Sequence, residues 1–244
     1  MSVVGKVVFD KDLNPLLNAS SNDELQLLVD LLSGTFTNTL TIEEDYKKYY
    51  PDHKKYADLI AAHIRLFGGD SFANAWRGLK RSLSGEVTIT SEGPAYREIV
   101  SDVAKYLKVE FNKNNPTDEL ELLILKATTK KFMANLSEEQ KKDLLKGMSD
   151  GTEGTIPNVL PGGIGADEFR LMFVSSHYTL LGMIGKGLPA TISFCCTSTI
   201  LGFISPPLLL SAISSPAYRV TVPAVIYVAI LRLWQKSRQQ EADW

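Results

Sequence analysis

The residues with the most chemical promise lie in FGGDSFANAWRG, residues 67–78. Asp70, Asn74 and Arg77 stand at i, i+4 and i+7, so on a helix they share a face and line a polar groove beside Trp76. A glycine pair followed by two acids, in a tight turn between strands, could serve metal and phosphate chemistry. Here Ser71 stands where the second acid would be, and both flanks have helical spacing, so that chemistry is excluded. The structural reading is simpler: Gly68 and Gly69 stop one helix and Asp70 caps the next.

A second candidate is SSPAYRVTVPAV, residues 214–225. Ser215 can cap a helix with Pro216 at its first position. Pro223 cannot donate to the carbonyl four residues back, that of Arg219. A kink is therefore expected beside a lone charge in apolar sequence, a place where charges are often functional. Against this stands a plain alternative, in which Arg219 pairs with an acid of the front half or snorkels to solvent.

The other chemically able residues form no constellation. His53, His63 and His177 lack metal-like spacing, and a structural role is expected for His63 on its apolar helix. Cys195 and Cys196 are neighbours in apolar sequence, expected to be reduced and to bind no metal. No P-loop, dinucleotide fingerprint or nucleophile elbow is present, and GGIG at 162–165 lacks the lysine of a phosphate loop. Trp234, flanked by Arg232, Lys236 and Arg238, has the composition of a membrane-interface belt. No cofactor and no metal are expected.

The elements that must position these residues are mostly helices. Ser21 and Glu24 make a capping box before the stripe Leu25, Leu28, Val29 and Leu32, and Thr41 and Glu44 repeat the box pattern. Ala57, Ile60, Ile64 and Phe67 share one helical face, and helical spacing returns with Tyr96, Ile99, Val100, Val103, Tyr106 and Leu107. Asn115-Pro116-Thr117 starts a helix through Met133, and Ser137 with Gln140 caps a short one to Lys146. GEVTITS, residues 85–91, alternates as a short strand or hairpin arm would. Residues 147–166 are rich in glycine and proline and read as a linker or loop. The fold class is mainly α. It is organised as an N-terminal helical region (1–84), a middle helical region (85–146), a linker (147–168) and an apolar C-terminal helical region (169–244).

Charge and hydropathy set the front against the rear. Net charge is −2 over 244 residues, which gives no case for nucleic acid. From residue 171 onward the chain carries +3 and the remainder −5, and residues 187–218 hold no charge at all. Pro206-Pro207, Arg219 and Pro223 interrupt every clean span of about 20 apolar residues. The rear is expected to form an apolar helical hairpin, buried against itself or a partner, or shallow in a bilayer. The N-terminus lacks a secretory pattern, and the location expected is cytoplasmic, peripheral to the inner membrane if a membrane is met.

FGGDSFANAWRG, PAYREIVSDVAKYLKV at 94–109 and AYRVTVPAVIYVAILR at 217–232 occur in that order. Together they resemble the YaaW-like family of uncharacterised bacterial proteins, over nearly the whole chain. Within this resemblance GEVTITSEG at 85–93 looks like an insertion. The family is grouped at domain level with mitochondrial ubiquinol–cytochrome c chaperones, and its first eighty residues resemble a short domain of unknown function. The resemblance implies no agreed activity, only an analogy to assistance of an apolar membrane protein during assembly.

Three functions are open on the sequence. One is a non-enzymatic chaperone-like or adaptor protein at or near a membrane, with a protein partner or apolar client and with homo-oligomerisation open. Asp70, Asn74, Trp76, Arg77, Tyr96, Arg97, Tyr218 and Arg219 would form its partner groove. Another is a membrane-perturbing, toxin-like or defence protein. The last is an enzyme using the groove around Asp70, for which no acid–base pair is readable.

Overall fold

A computed structural model describes residue 4 and residues 7–34, 38–68, 93–150, 163–184 and 217–242. The described residues are mainly helical, and among them the one extended pairing is an isolated bridge at Val4. The helices are α1 (Asn14–Ala19), α2 (Asn22–Leu32), α3 (Glu44–Tyr49), α4 (Ala57–Gly68), α5 (Tyr96–Tyr106), α6 (Thr117–Ala134), α7 (Glu138–Asp150), α8 (Ala166–Ile184) and α9 (Tyr218–Ala242). Short 3-10 turns at Leu40–Ile42 and His53–Tyr56 precede α3 and α4.

The chain divides into two compact units. Unit 1 is Met1–Leu120 with Ser214–Val225, and unit 2 is Glu121–Ile213 with Ile226–Trp244. In unit 1, α1 and α2 pack on α4, which also meets α5. The stripes expected from the sequence make this core: Leu25, Leu28 and Leu32 of α2, Ile60, Ile64 and Phe67 of α4, and Val100 and Val103 of α5 are sealed from solvent. Where α4 ends, a Cβ at Gly68 would collide with the Ile99 side chain, so the close approach of α5 requires glycine there.

Among the described residues of unit 2, contacts link α6, α8 and α9. Thr129 of α6 shares a hydrogen bond of 2.8 Å with Ser175 of α8. Phe169 of α8 stacks on Trp234 of α9 with ring centres 5.6 Å apart. Phe132, Phe169, Met172 and Val174 fill the interior.

Two capping boxes form as expected. Ser21 and Glu24 exchange both bonds at the start of α2, and Ser137 and Gln140 do so before α7. The third does not. Glu43 occupies the N-cap of α3 without a side-chain cap, because its carboxylate is drawn inward to His63 and to the Val4 N–H. Thr41 instead donates to Asn38. Helix α7 runs to Asp150, beyond the expected stop at Lys146. Helix α9 begins at Tyr218 and continues through Pro223. The strand expected at 85–91, Ser215-Pro216, the cysteine pair and the first arm of the apolar hairpin lie outside the described residues.

Candidate functional site

The densest polar centre of unit 1 is built on Arg65. It is the one basic residue of α4, a helix otherwise given to leucine, isoleucine and alanine, and it is 6 % exposed. A guanidinium this buried needs partners for its fork of donors. Nε donates to the Pro94 carbonyl at 2.9 Å, Nη1 to the Val8 carbonyl at 2.8 Å and Nη2 to the Gly93 carbonyl at 3.2 Å. Asp10 supplies the counter-charge, its Oδ2 standing 3.7 Å from Nε. The same oxygen accepts the Tyr96 N–H at 2.8 Å, which caps the start of α5. One side chain thus ties the N-terminal segment, the 93–94 turn and two helices together. Gly93, at φ +68°, is required: a Cβ there would lie 2.6 Å from the Arg65 carbonyl oxygen.

Both histidines of unit 1 are locked into hydrogen bonds. His63 sits between Thr39 Oγ1 at 3.2 Å and Glu43 Oε1 at 3.3 Å, with all three residues buried. His53 faces Tyr56 OH at 2.5 Å through Nδ1 and Gln26 Oε1 at 2.7 Å through Nε2. Gln26 donates its amide to Asp30, so its oxygen faces the ring and accepts. His53 therefore carries its proton on Nε2, and Nδ1 accepts from Tyr56. Burial holds the His53 pKa below its ordinary value and pushes the Tyr56 phenol well above its own. Both groups are neutral and serve as hydrogen-bonded packing.

In unit 2, Arg232 reaches the carboxylate of Glu121 with two donors, Nε to Oε2 at 2.6 Å and Nη2 to Oε1 at 3.3 Å. The Glu121 side chain is 2 % exposed and that of Arg232 18 %. His177, on α8, donates Nδ1–H to the Phe173 carbonyl at 2.8 Å, as the geometry with an acceptor requires. Its ring lies against Phe173 and edge-on to Tyr227 of α9. Complete burial lowers its pKa to about 4, so it is neutral.

The expected site residues are distributed among these features. Tyr96 is fully buried, with its backbone in the Arg65 centre. Arg97 is half-buried and donates to the Lys113 carbonyl at 2.6 Å. Tyr218 stacks on Tyr106 with centres 4.2 Å apart, while Arg219 is exposed. Asp70, Asn74, Trp76 and Arg77 lie outside the described residues. Within unit 2, Arg232 pairs with Glu121 and Trp234 stacks on Phe169. Arg238 lies over the Trp234 ring at 5.7 Å and is exposed, and Lys236 is half-buried. Asp10, Arg65, Gln26 and Glu121 were not singled out from the sequence. The available signal was a charge inside an apolar run: Arg65 in LIAAHIRLF and Glu121 in LELLIL.

Among the described residues no group of histidine, cysteine and acidic side chains could hold a metal, and no helix is long and apolar enough to cross a membrane. No family model matches the chain, and no solved structure does. It is 28% identical to a UPF0174 protein of Helicobacter pylori strain J99, across 96% of this chain and 95% of that one. It is also 28% identical to the UPF0174 protein YaaW of Escherichia coli K12, across 74% of this chain and 72% of the relative. These similarities support the YaaW-like, UPF0174 family. They run over most of the chain.

Proposed function

We propose that this YaaW-like chain is a non-enzymatic helper protein that acts on an apolar client or protein partner at or near a membrane. The observation that carries the reading is the burial of α9. All twelve residues from Val220 to Leu231 are buried, so more than three helical turns are withheld from water on every face. A helix that is apolar all round must be covered by something equally apolar. Arg232 with Glu121 fixes the end of the buried run. Exchange of part of that covering for an apolar segment of a client would let the chain shield such a segment during assembly. The analogy to mitochondrial assembly chaperones points the same way.

The test uses the full chain and an apolar membrane protein diluted from detergent. Light scattering should show suppressed aggregation, and a photoreactive amino acid at Val225 should cross-link to the client. A chain that stays monomeric in the supernatant and neither suppresses scattering nor cross-links, with or without lipid, refutes the proposal.

A further inference from the structure

Unit 1 carries a cationic aromatic face that the helper reading does not use. Residues 46–56 read YKKYYPDHKKY, two lysine pairs set among tyrosines. Lys47, Lys48, Lys54 and Lys55 are all exposed, and the one acid in the run, Asp52, is half-buried. Along α3 the charges are segregated: Glu44 and Asp45 occupy the first turn, Lys47 and Lys48 the last. Helix α3 buries none of its residues. Residues 1–170 are net negative, so this run is a local cationic island on an acidic chain.

The aromatic rings of this run pack on one another. Tyr46 meets Tyr50 and Tyr56 with ring centres 5.2 and 5.7 Å apart, and His53 joins Tyr50 and Tyr56 at 5.8 and 5.7 Å. His53 is pinned at both nitrogens. The Lys48 ammonium stands 4.8 Å over the Tyr49 ring. Tyr50 is 53 % exposed, one of the few large apolar side chains presented to solvent among the described residues.

We propose that this face docks on an anionic lipid surface, which rests on the membrane-proximal reading above and names the surface through which it works. Lysine ammoniums attract lipid phosphates, and tyrosines suit the headgroup layer, where one end of the ring is apolar and the other wet. Each lysine near such a surface contributes about a five-fold factor in partitioning. A lysine pair is then worth roughly 30-fold.

The experiment sediments the full chain with vesicles of phosphatidylcholine alone and of phosphatidylcholine with phosphatidylglycerol. Lys47→Gln/Lys48→Gln and Lys54→Gln/Lys55→Gln are compared with the parent, with far-UV circular dichroism to verify folding. Binding to the anionic vesicles alone is expected, weakening as salt rises and falling roughly 30-fold in each pair variant. Equal binding to both vesicle types, no binding to either, or unaltered binding in the pair variants overturns the proposal. So does a preference for single-stranded RNA through the same lysines. Vesicle failure with client shielding intact removes only this surface. Lost shielding with vesicle binding intact removes only the helper reading.

Discussion

Replacing Arg232 by Met should destabilise unit 2 by about 3–4 kcal/mol at neutral pH. The substitution keeps most of the apolar stem and removes the guanidinium from a carboxylate that is 2 % exposed. Breaking a buried pair costs ~3–5 kcal/mol because the remaining charge stays desolvated, and the 18 % exposure of Arg232 places this pair toward the lower end. The cost should shrink in acid. Protonation removes the charge left buried, so the variant recovers stability as pH falls. Glu121→Leu should cost about 3 kcal/mol, whereas the double variant Glu121→Leu/Arg232→Met should lie within ~1 kcal/mol of the parent, since apolar replacements of a buried pair are often neutral. Urea unfolding followed by Trp234 fluorescence, with Trp76 and Trp244 changed to Phe, reads unit 2. With a urea dependence of ~2–3 kcal/mol per molar, each single variant moves the midpoint by ~1–2 M. Single variants that cost under ~1 kcal/mol, or a double variant as unstable as the worse single, would refute the reasoning.

Two further outcomes follow from local geometry. Gly93→Ala should cost ~1–2 kcal/mol for the left-handed backbone plus a steric penalty against the Arg65 carbonyl. Gly163→Ala, at φ +70° with open space around it, should cost the conformational part alone, and equal losses in a thermal melt would discredit the proposed contact. His177 is neutral in the fold with a pKa of about 4, against about 6.5 when unfolded. The unfolded chain takes up that proton first, so stability is lost as pH falls from ~6.5 to ~4, by up to ~3 kcal/mol. His53 contributes in the same direction, so the difference between parent and His177→Gln isolates the effect; an identical pH slope in the two would exclude it.

The sequence by itself determined the helices and their buried faces. The stripes of α2, α4 and α5 repeat with helical period, and a period is a local property that any packing partner must respect. The capping boxes at Ser21 and Ser137 were legible for the same reason, because both partners lie within one turn. Where two uses of a side chain compete, local pattern loses. Glu43 holds the end of α3 but turns its carboxylate to His63, twenty residues away, and no window of the sequence contains both ends of that choice.

The polar centres were decided only by the tertiary structure. Arg65 draws on Val8, Asp10, Gly93 and Pro94, and Glu121 meets a residue 111 positions later. A lone charge in an apolar helix announces that a partner exists, because desolvation demands one, but it carries no address. That is why Arg232, basic and beside a tryptophan, looks in sequence like an interface residue and in the fold serves as the counter-charge of a buried acid. The apolar character of Val220 to Leu231 in α9 was written in its composition. That Val220 to Leu231 are buried was decided by packing, which composition alone does not set.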